Sequence, residues 1–227
     1  MKRSAVLLSI AVVALLVLSA CVSSKPASGM QAMAAPAPAA AAAPAIVTTV
    51  DDFEGNNLGG KWSVYSDVAA NKGSSVANPD PFVAQNDPGN GANGTDHFAK
   101  CWGSVTTQYQ YGFAGLTYDF DPDDPTKILD LSGSTGFKFW MKGDGRTYHF
   151  GIKAPSVNKD FDFYEYTIAT KPGWTEYTIP FTKFNQESWG ASMPLSKCLK
   201  AATGFQIQTI GQPIDKFEFY LDEVSLY

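Results

Sequence analysis

The chain has 227 residues, with 17 Lys+Arg against 22 Asp+Glu and a formal net charge of -5, so it lacks the basic footprint that a phosphate backbone demands and nucleic acid is not an expected partner. Only two histidines, His97 and His149, are present, far apart in sequence, which leaves histidine-based zinc or triad chemistry little to draw on. Aromatic residues make up 13%, with 15 Phe, 10 Tyr and 5 Trp, rich for a chain with few helical signals.

Met1-Lys2-Arg3 and the apolar run Val6 to Leu18 read as an export signal, too short for a resident membrane helix. The run ends in Leu18-Ser19-Ala20-Cys21, similar to a bacterial lipobox. Residues 1–20 are therefore expected to be a lipoprotein signal peptide and Cys21 the lipidated mature N-terminus. An ordinary signal peptide cleaved near Ala20 is the alternative. Acylation of Cys21 would place the protein in the bacterial cell envelope, at the outer membrane or cell surface, touching the membrane through the anchor only. Residues 21–47 are Ala, Pro and Ser with almost no charge, and their prolines favour an extended tether over a continuous helix.

Residues 48–227 are expected to be the one folded domain. Asp51-Asp52-Phe53-Glu54-Gly55 precedes Leu58, Trp62, Val64 and Tyr65, which gives a strand, a turn and a second strand. Asp51, Asp52 and Glu54 read as solvated edge charges or as oxygen ligands for calcium, and from the residues the solvated reading is favoured. From Ser66 to Asp96 few apolar residues occur, which predicts long loops, and such loops on a rigid scaffold commonly carry binding function. Strands are expected over His97–Trp102 and Gly112–Asp121.

In Gly136 to Lys153, Phe137, Phe139 and Met141 alternate with Lys138, Trp140 and Lys142, and after Gly143-Asp144-Gly145 the residues Tyr148, Phe150 and Ile152 alternate with His149, Gly151 and Lys153. Period-2 alternation on both sides of a glycine turn predicts a β-hairpin, with Trp140 and His149 directed away from the core. Further alternating strands are expected in residues 160–170, 174–181, 205–210 and 216–227, with an irregular crossing over residues 183–199 that exposes Gln186-Glu187-Ser188-Trp189. About ten short strands predict an all-β fold, a two-sheet antiparallel β-sandwich of jelly-roll type. With Cys21 assigned to lipid, Cys101 and Cys198 are expected to form one disulfide in an exported chain; two buried free thiols are the alternative.

No G-x-S-x-G, H-E-x-x-H or P-loop is present, so no enzyme activity is expected; acidic residues are numerous enough for a glycoside-hydrolysing pair, but nothing in the sequence places one. Rings together with Asp, Glu and Gln on one β face suit a sugar: a ring stacks on the C–H face of a pyranose while the polar groups bind its hydroxyls. Tyr164, Tyr166 and Tyr177 share a face with Ile168 and Ile179 and read as core.

The DDFEG segment with Trp62 and Tyr65, then FWMKGDG with Tyr148, WTEYTIPFTKF and FEFYLDEVSL together resemble the family 11 carbohydrate-binding module, which shares a superfamily with the complex I intermediate-associated protein CIA30. The resemblance covers about residues 50–227. It implies a galactose-binding-like jelly roll whose cleft binds a polysaccharide of the β-glucan type, with structural calcium. Carried over by position, it implies carbohydrate-binding roles for Tyr65, Phe113, Asp160, Glu187, Trp189 and Gln206, and calcium ligation by Glu54 and Asp222. No arginine stands in the crossing, and Thr209 replaces an expected aromatic. A CIA30-like envelope assembly or protein-binding lipoprotein, with an envelope protein partner, is the alternative reading.

Overall fold

The computed structural model describes residues 47–124 and 127–227. The signal-peptide, Cys21 and tether readings lie outside the described residues. The strands are β1 (Thr48–Asp51), β2 (Lys61–Ser66), β3 (Val76–Asn78), β4 (Gln85–Asn86), β5 (His97–Val105), β6 (Ala114–Asp119), β7 (Gly136–Gly143), β8 (Thr147–Lys153), β9 (Tyr164–Ala169), β10 (Thr175–Pro180), β11 (Gly204–Thr209) and β12 (Ile214–Leu226). Two five-residue helices, α1 (Asp67–Asn71) and α2 (Leu195–Leu199), sit in the connections.

All pairings are antiparallel, and they form the two sheets of a jelly-roll sandwich. One runs β10-β7-β12-β5-β3, with β1 added beside β12 and β4 beside β5; the other runs β2-β6-β11-β8-β9. Strands alternate because each buries one face against the opposite sheet. The inward set includes Phe137, Phe139, Phe150, Phe205, Phe217 and Phe219, all fully buried. Tyr164, Tyr166 and Tyr177 pack against this core, as their shared face with Ile168 and Ile179 predicts.

The expected hairpin is not one. β7 pairs with β10 and β12, whereas β8 pairs with β9 and β11, so Gly143-Asp144-Gly145 carries the chain from one sheet to the other. Alternation records which side chains face inward, and it is the same for two strands side by side and for two strands face to face. Here Phe139 of β7 and Phe150 of β8 stack across the core with centroids 5.0 Å apart and planes 6° from parallel. Asp144 fixes the crossing: its Oδ1 accepts from the Arg146 N–H and the Tyr148 hydroxyl, both at 3.0 Å. Gly145 takes the positive φ of 86° that the reversal requires. The outward placement of Trp140 and His149 holds, since both are half-buried while their neighbours are buried.

The expected disulfide is also corrected. Cys101 and Cys198 are free and buried. Cys101 points from β5 into the main core, whereas Cys198, on α2, belongs to a separate cluster with Ala154, Val157 and Phe163 and lies 3.3 Å from the Ser156 hydroxyl. Burial pushes both thiols up, which removes the reactive thiolate.

Two outcomes are expected. Cys101 and Cys198 should react with a thiol reagent only after unfolding, and a reductant should leave the melting temperature unchanged. Phe150→Ala should lower stability by about 3–5 kcal/mol in a denaturant titration, because Phe137, Phe139 and Phe205 rings all contact it.

Candidate functional site

The outer face of the five-stranded sheet carries three cross-strand rows. Pairing aligns Tyr65, Gly115, Gln208, His149 and Thr167 in one row, and Ser63, Thr117, Gln206, Gly151 and Glu165 in the next. A third holds Lys61, Asp119, Gly204 and Lys153. Each row contains a glycine: at Gly115 and Gly204 a Cβ would lie 2.1 Å from a backbone oxygen, while at Gly151 the missing side chain leaves space on the face. At Gly151 a Cβ would lie 3.2 Å from Glu165 Oε1 and 3.5 Å from Gln206 Cγ, so any larger residue would fill the space between them.

One end is aromatic. Tyr65 and Phe113 lie 5.8 Å apart, Tyr109 stands edge-on to Phe113, and Tyr111 beyond it is 68% exposed. The Tyr65 hydroxyl donates to Gln208 Oε1 at 3.1 Å, which fixes the ring beside the floor. The opposite end is charged. His149 Nδ1 lies 2.7 Å from Glu165 Oε2 and His149 Nε2 lies 3.7 Å from Glu187 Oε1, around a depression of about 320 Å³ that Tyr166, Lys183 and Asn185 also line. Burial alone would lower the His149 pKa. The hydrogen bond and charge of Glu165, with the charge of Glu187, outweigh burial and raise it. Between the ends, Gln206 is 6% exposed, and among the described residues its amide takes no hydrogen bond, so its donors and acceptor stay available. In the third row Lys153 Nζ binds Asp119 Oδ1 at 2.5 Å and donates to Thr117 Oγ1 at 3.0 Å.

The wall bearing Glu187 is an irregular segment held by two aspartates. Buried Asp162 accepts from the Glu187 N–H at 3.0 Å and from the Gly190 N–H at 3.1 Å, and Asp160 accepts from the Ala191 N–H at 2.7 Å. Gly190 is required there, since a Cβ would lie 2.6 Å from Asp162 Cβ and 2.7 Å from Asp160 Cγ. Trp189 stands out from this segment, 59% exposed.

The structure thus brings Tyr65, Phe113 and Gln206 together on the sheet face and sets Glu187 on the adjoining wall with Trp189 on the same segment. Asp160 is placed behind that wall, its carboxylate engaged by backbone. His149, Glu165 and Lys153 were not among the predicted site residues. Alternation already put His149 and Glu165 on the outward sets of their strands, but only the β8–β9 register, which pairs His149 with Thr167 and Gly151 with Glu165, makes them neighbours.

Glu54 and Asp222 both grip the loop between β4 and β5. Glu54 Oε1 accepts from the Asp96 and His97 N–H groups at 2.7 and 2.6 Å, and its Oε2 faces His97 Nδ1 at 3.1 Å. Asp222 Oδ2 accepts from the Ala92 N–H at 2.9 Å and the Thr95 hydroxyl at 2.7 Å, and Oδ1 accepts from the Glu223 N–H. Every oxygen of the two carboxylates is met by a donor, the chemistry of a loop clamp. Burial pushes the Asp222 carboxyl up to about 6, and among the described residues no cationic side chain bonds it, the one feature here that suits an added cation.

A model of the family described as complex I intermediate-associated protein 30 (CIA30) matches residues 52–221. No curated protein matches the sequence. Among solved structures, the chain is similar to a family 11 carbohydrate-binding module of a cellulosomal cellulase of Clostridium thermocellum, at 20% identity and TM-score 0.55, over 81% of this chain and 95% of that one. A Clostridium thermocellum family 11 module in complex with a β-1,3-1,4-mixed-linked tetrasaccharide matches at 20% identity and TM-score 0.53, over 79% and 94%. A family 30 module of a cellulosomal cellulase from the same organism matches at 12% identity and TM-score 0.53, over 80% and 97%. At these identities the likeness is one of fold.

Because Glu165 raises its pKa, His149 should titrate above the ordinary imidazole value of about 6.5. The pair's contribution to stability is then fully present below about pH 6.5 and lost as pH rises through the raised value. NMR titration of His149 should show that elevation, and Glu165→Gln should bring it down.

Proposed function

The chain belongs to the CIA30 family, and on that premise we propose that it is a non-catalytic protein that binds a polysaccharide along the groove of its five-stranded sheet. The observation that carries the reading is the division of that face: rings at one end, an unspent buried amide at Gln206 in the middle, and carboxylates with an imidazole at the other end. Stacked rings and fixed hydrogen-bonding groups on a rigid sheet are what a pyranose chain requires. The mixed-linked tetrasaccharide in the complex of the family 11 module makes a β-glucan the first polymer to try. Acylation at Cys21 would hold this groove at the cell envelope. A structural calcium ion is part of the proposal, at the loop held by Glu54 and Asp222. The support is Asp222, a buried carboxylate to which no cationic side chain among the described residues is bonded, and calcium would supply that charge.

The CIA30 match favours a second reading, in which the same surface serves an envelope assembly or other protein partner. Protein interfaces lose charge at their centre. The groove keeps the half-buried charges of His149 and Glu165 on its floor at one end, which favours the sugar.

Affinity electrophoresis against soluble β-glucans, xyloglucan, xylan and mannan should show retardation by one polymer class. Tyr65→Ala and Trp189→Ala should each weaken it roughly fivefold, about 1 kcal/mol, with the protein still folded. No retardation of folded protein by any polymer would move the reading to a protein partner. Calcium should raise the melting temperature and a chelator lower it; an unchanged transition would remove the ion from the proposal.

A further inference from the structure

His149, Glu165 and Glu187 are the one grouping among the described residues in which three metal-capable side chains converge, with one ligand atom of each within 4.8 Å of the others. They come from β8, β9 and the irregular wall, so the fold and not sequence proximity assembles them. Their geometry assigns different tasks. With Nδ1–H donated to Glu165, a neutral imidazole turns the Nε2 lone pair toward Glu187. A carboxylate that anchors one ring nitrogen while the other faces an anionic ligand is the arrangement that orients metal-binding histidines. The 3.7 Å between Nε2 and Glu187 Oε1 accepts an ion with bonds of about 2.0–2.2 Å to both.

A second observation is independent of these three residues. Gln206 lies in the same cross-strand row as Glu165, separated from it by Gly151, and is 6% exposed with its amide unpartnered among the described residues. Its amide opens onto the groove with both donors and its acceptor unspent. A water or hydroxyl held on an ion at the charged end of the groove would supply a partner.

We infer that the groove binds a divalent first-row transition-metal ion of the zinc class through His149 Nε2 and Glu187, with Glu165 fixing the imidazole and the remaining positions open to water or a ligand hydroxyl. The nitrogen donor separates this site from calcium and magnesium, which take oxygen ligands. Lys183 also lines the depression. The ion would place a double positive charge in the groove opposite the aromatic end.

Calorimetric titration of tag-free protein with zinc chloride, in the absence of any sugar, tests this directly. One equivalent of zinc should bind and calcium should not compete for it. His149→Ala should abolish that equivalent, Glu187→Gln should weaken it at least tenfold, and Glu165→Ala should weaken it by about 10–100-fold, the usual loss for an orienting partner. His97→Ala, which removes the only other histidine, should leave it intact. Glu187 has a 57% exposed side chain, so its substitution reads binding without unfolding the sheet should His149→Ala do so. No zinc uptake, or uptake unchanged in both the Glu187→Gln and His149→Ala proteins, would overturn the inference. Because the titration contains no polymer, that result leaves the polysaccharide reading untouched.

Discussion

The fold depends on the crossing between β7 and β8. Because the chain changes sheets at Gly143-Asp144-Gly145, the inward residues of two sequence-adjacent strands meet face to face, and Phe139, Phe150 and Phe205 form a stack through the sandwich. Large rings give this core much apolar area per residue and define a rotational setting that aliphatic side chains would not. The same crossing decides the outer faces. With Tyr148, Phe150 and Ile152 turned inward, His149, Gly151 and Lys153 are forced outward onto the central rows of the groove. The core and the groove face are therefore set by one alternation.

Around that core, buried aspartates hold the loops. Asp51 takes the Trp62 indole N–H, the Phe53 N–H and the Asn57 amide; Asp67 takes both the N–H and the hydroxyl of Ser75; Asp162 and Asp222 bind the backbone of the wall and of the β4–β5 loop. A carboxylate engaged by several backbone or side-chain donors fixes irregular chain that a ladder cannot reach. These acids are occupied. On the groove the carboxylates of Glu165 and Glu187 instead converge on an imidazole.

The sandwich was legible in the sequence because each strand alternates cleanly, and Phe205 and Ile207 against Gln206 and Gln208 already states which pair reaches the groove. The partner of each strand was not legible. Alternation through Phe139 and Phe150 is compatible with a hairpin and with an apposed pair, and the short glycine turn favoured the former. Cysteine count likewise says nothing of place: Cys101 and Cys198 fall into separate apolar clusters. The two histidines looked unpromising because they are distant from each other. A site needs only one of them when the register brings Glu165 beside His149 and the wall brings Glu187.

That register also makes the groove directional. Tyr65 and Gln208 share a row with His149, while Gln206 shares the adjacent row with Glu165, so apolar, amide and ionic chemistry follow one another across the strands. A linear ligand lying along the rows would meet a stacking ring first and a charged cluster last. Its two ends would not be equivalent. Gly151 keeps that path open: the nearest atoms belong to Glu165 and Gln206, so a substituent there would separate the amide from the ionic end. The strand order β2-β6-β11-β8-β9 sets Tyr65 at one end of this face and Glu165 at the other, and the segments that carry Phe113 and Glu187 extend the same polarity.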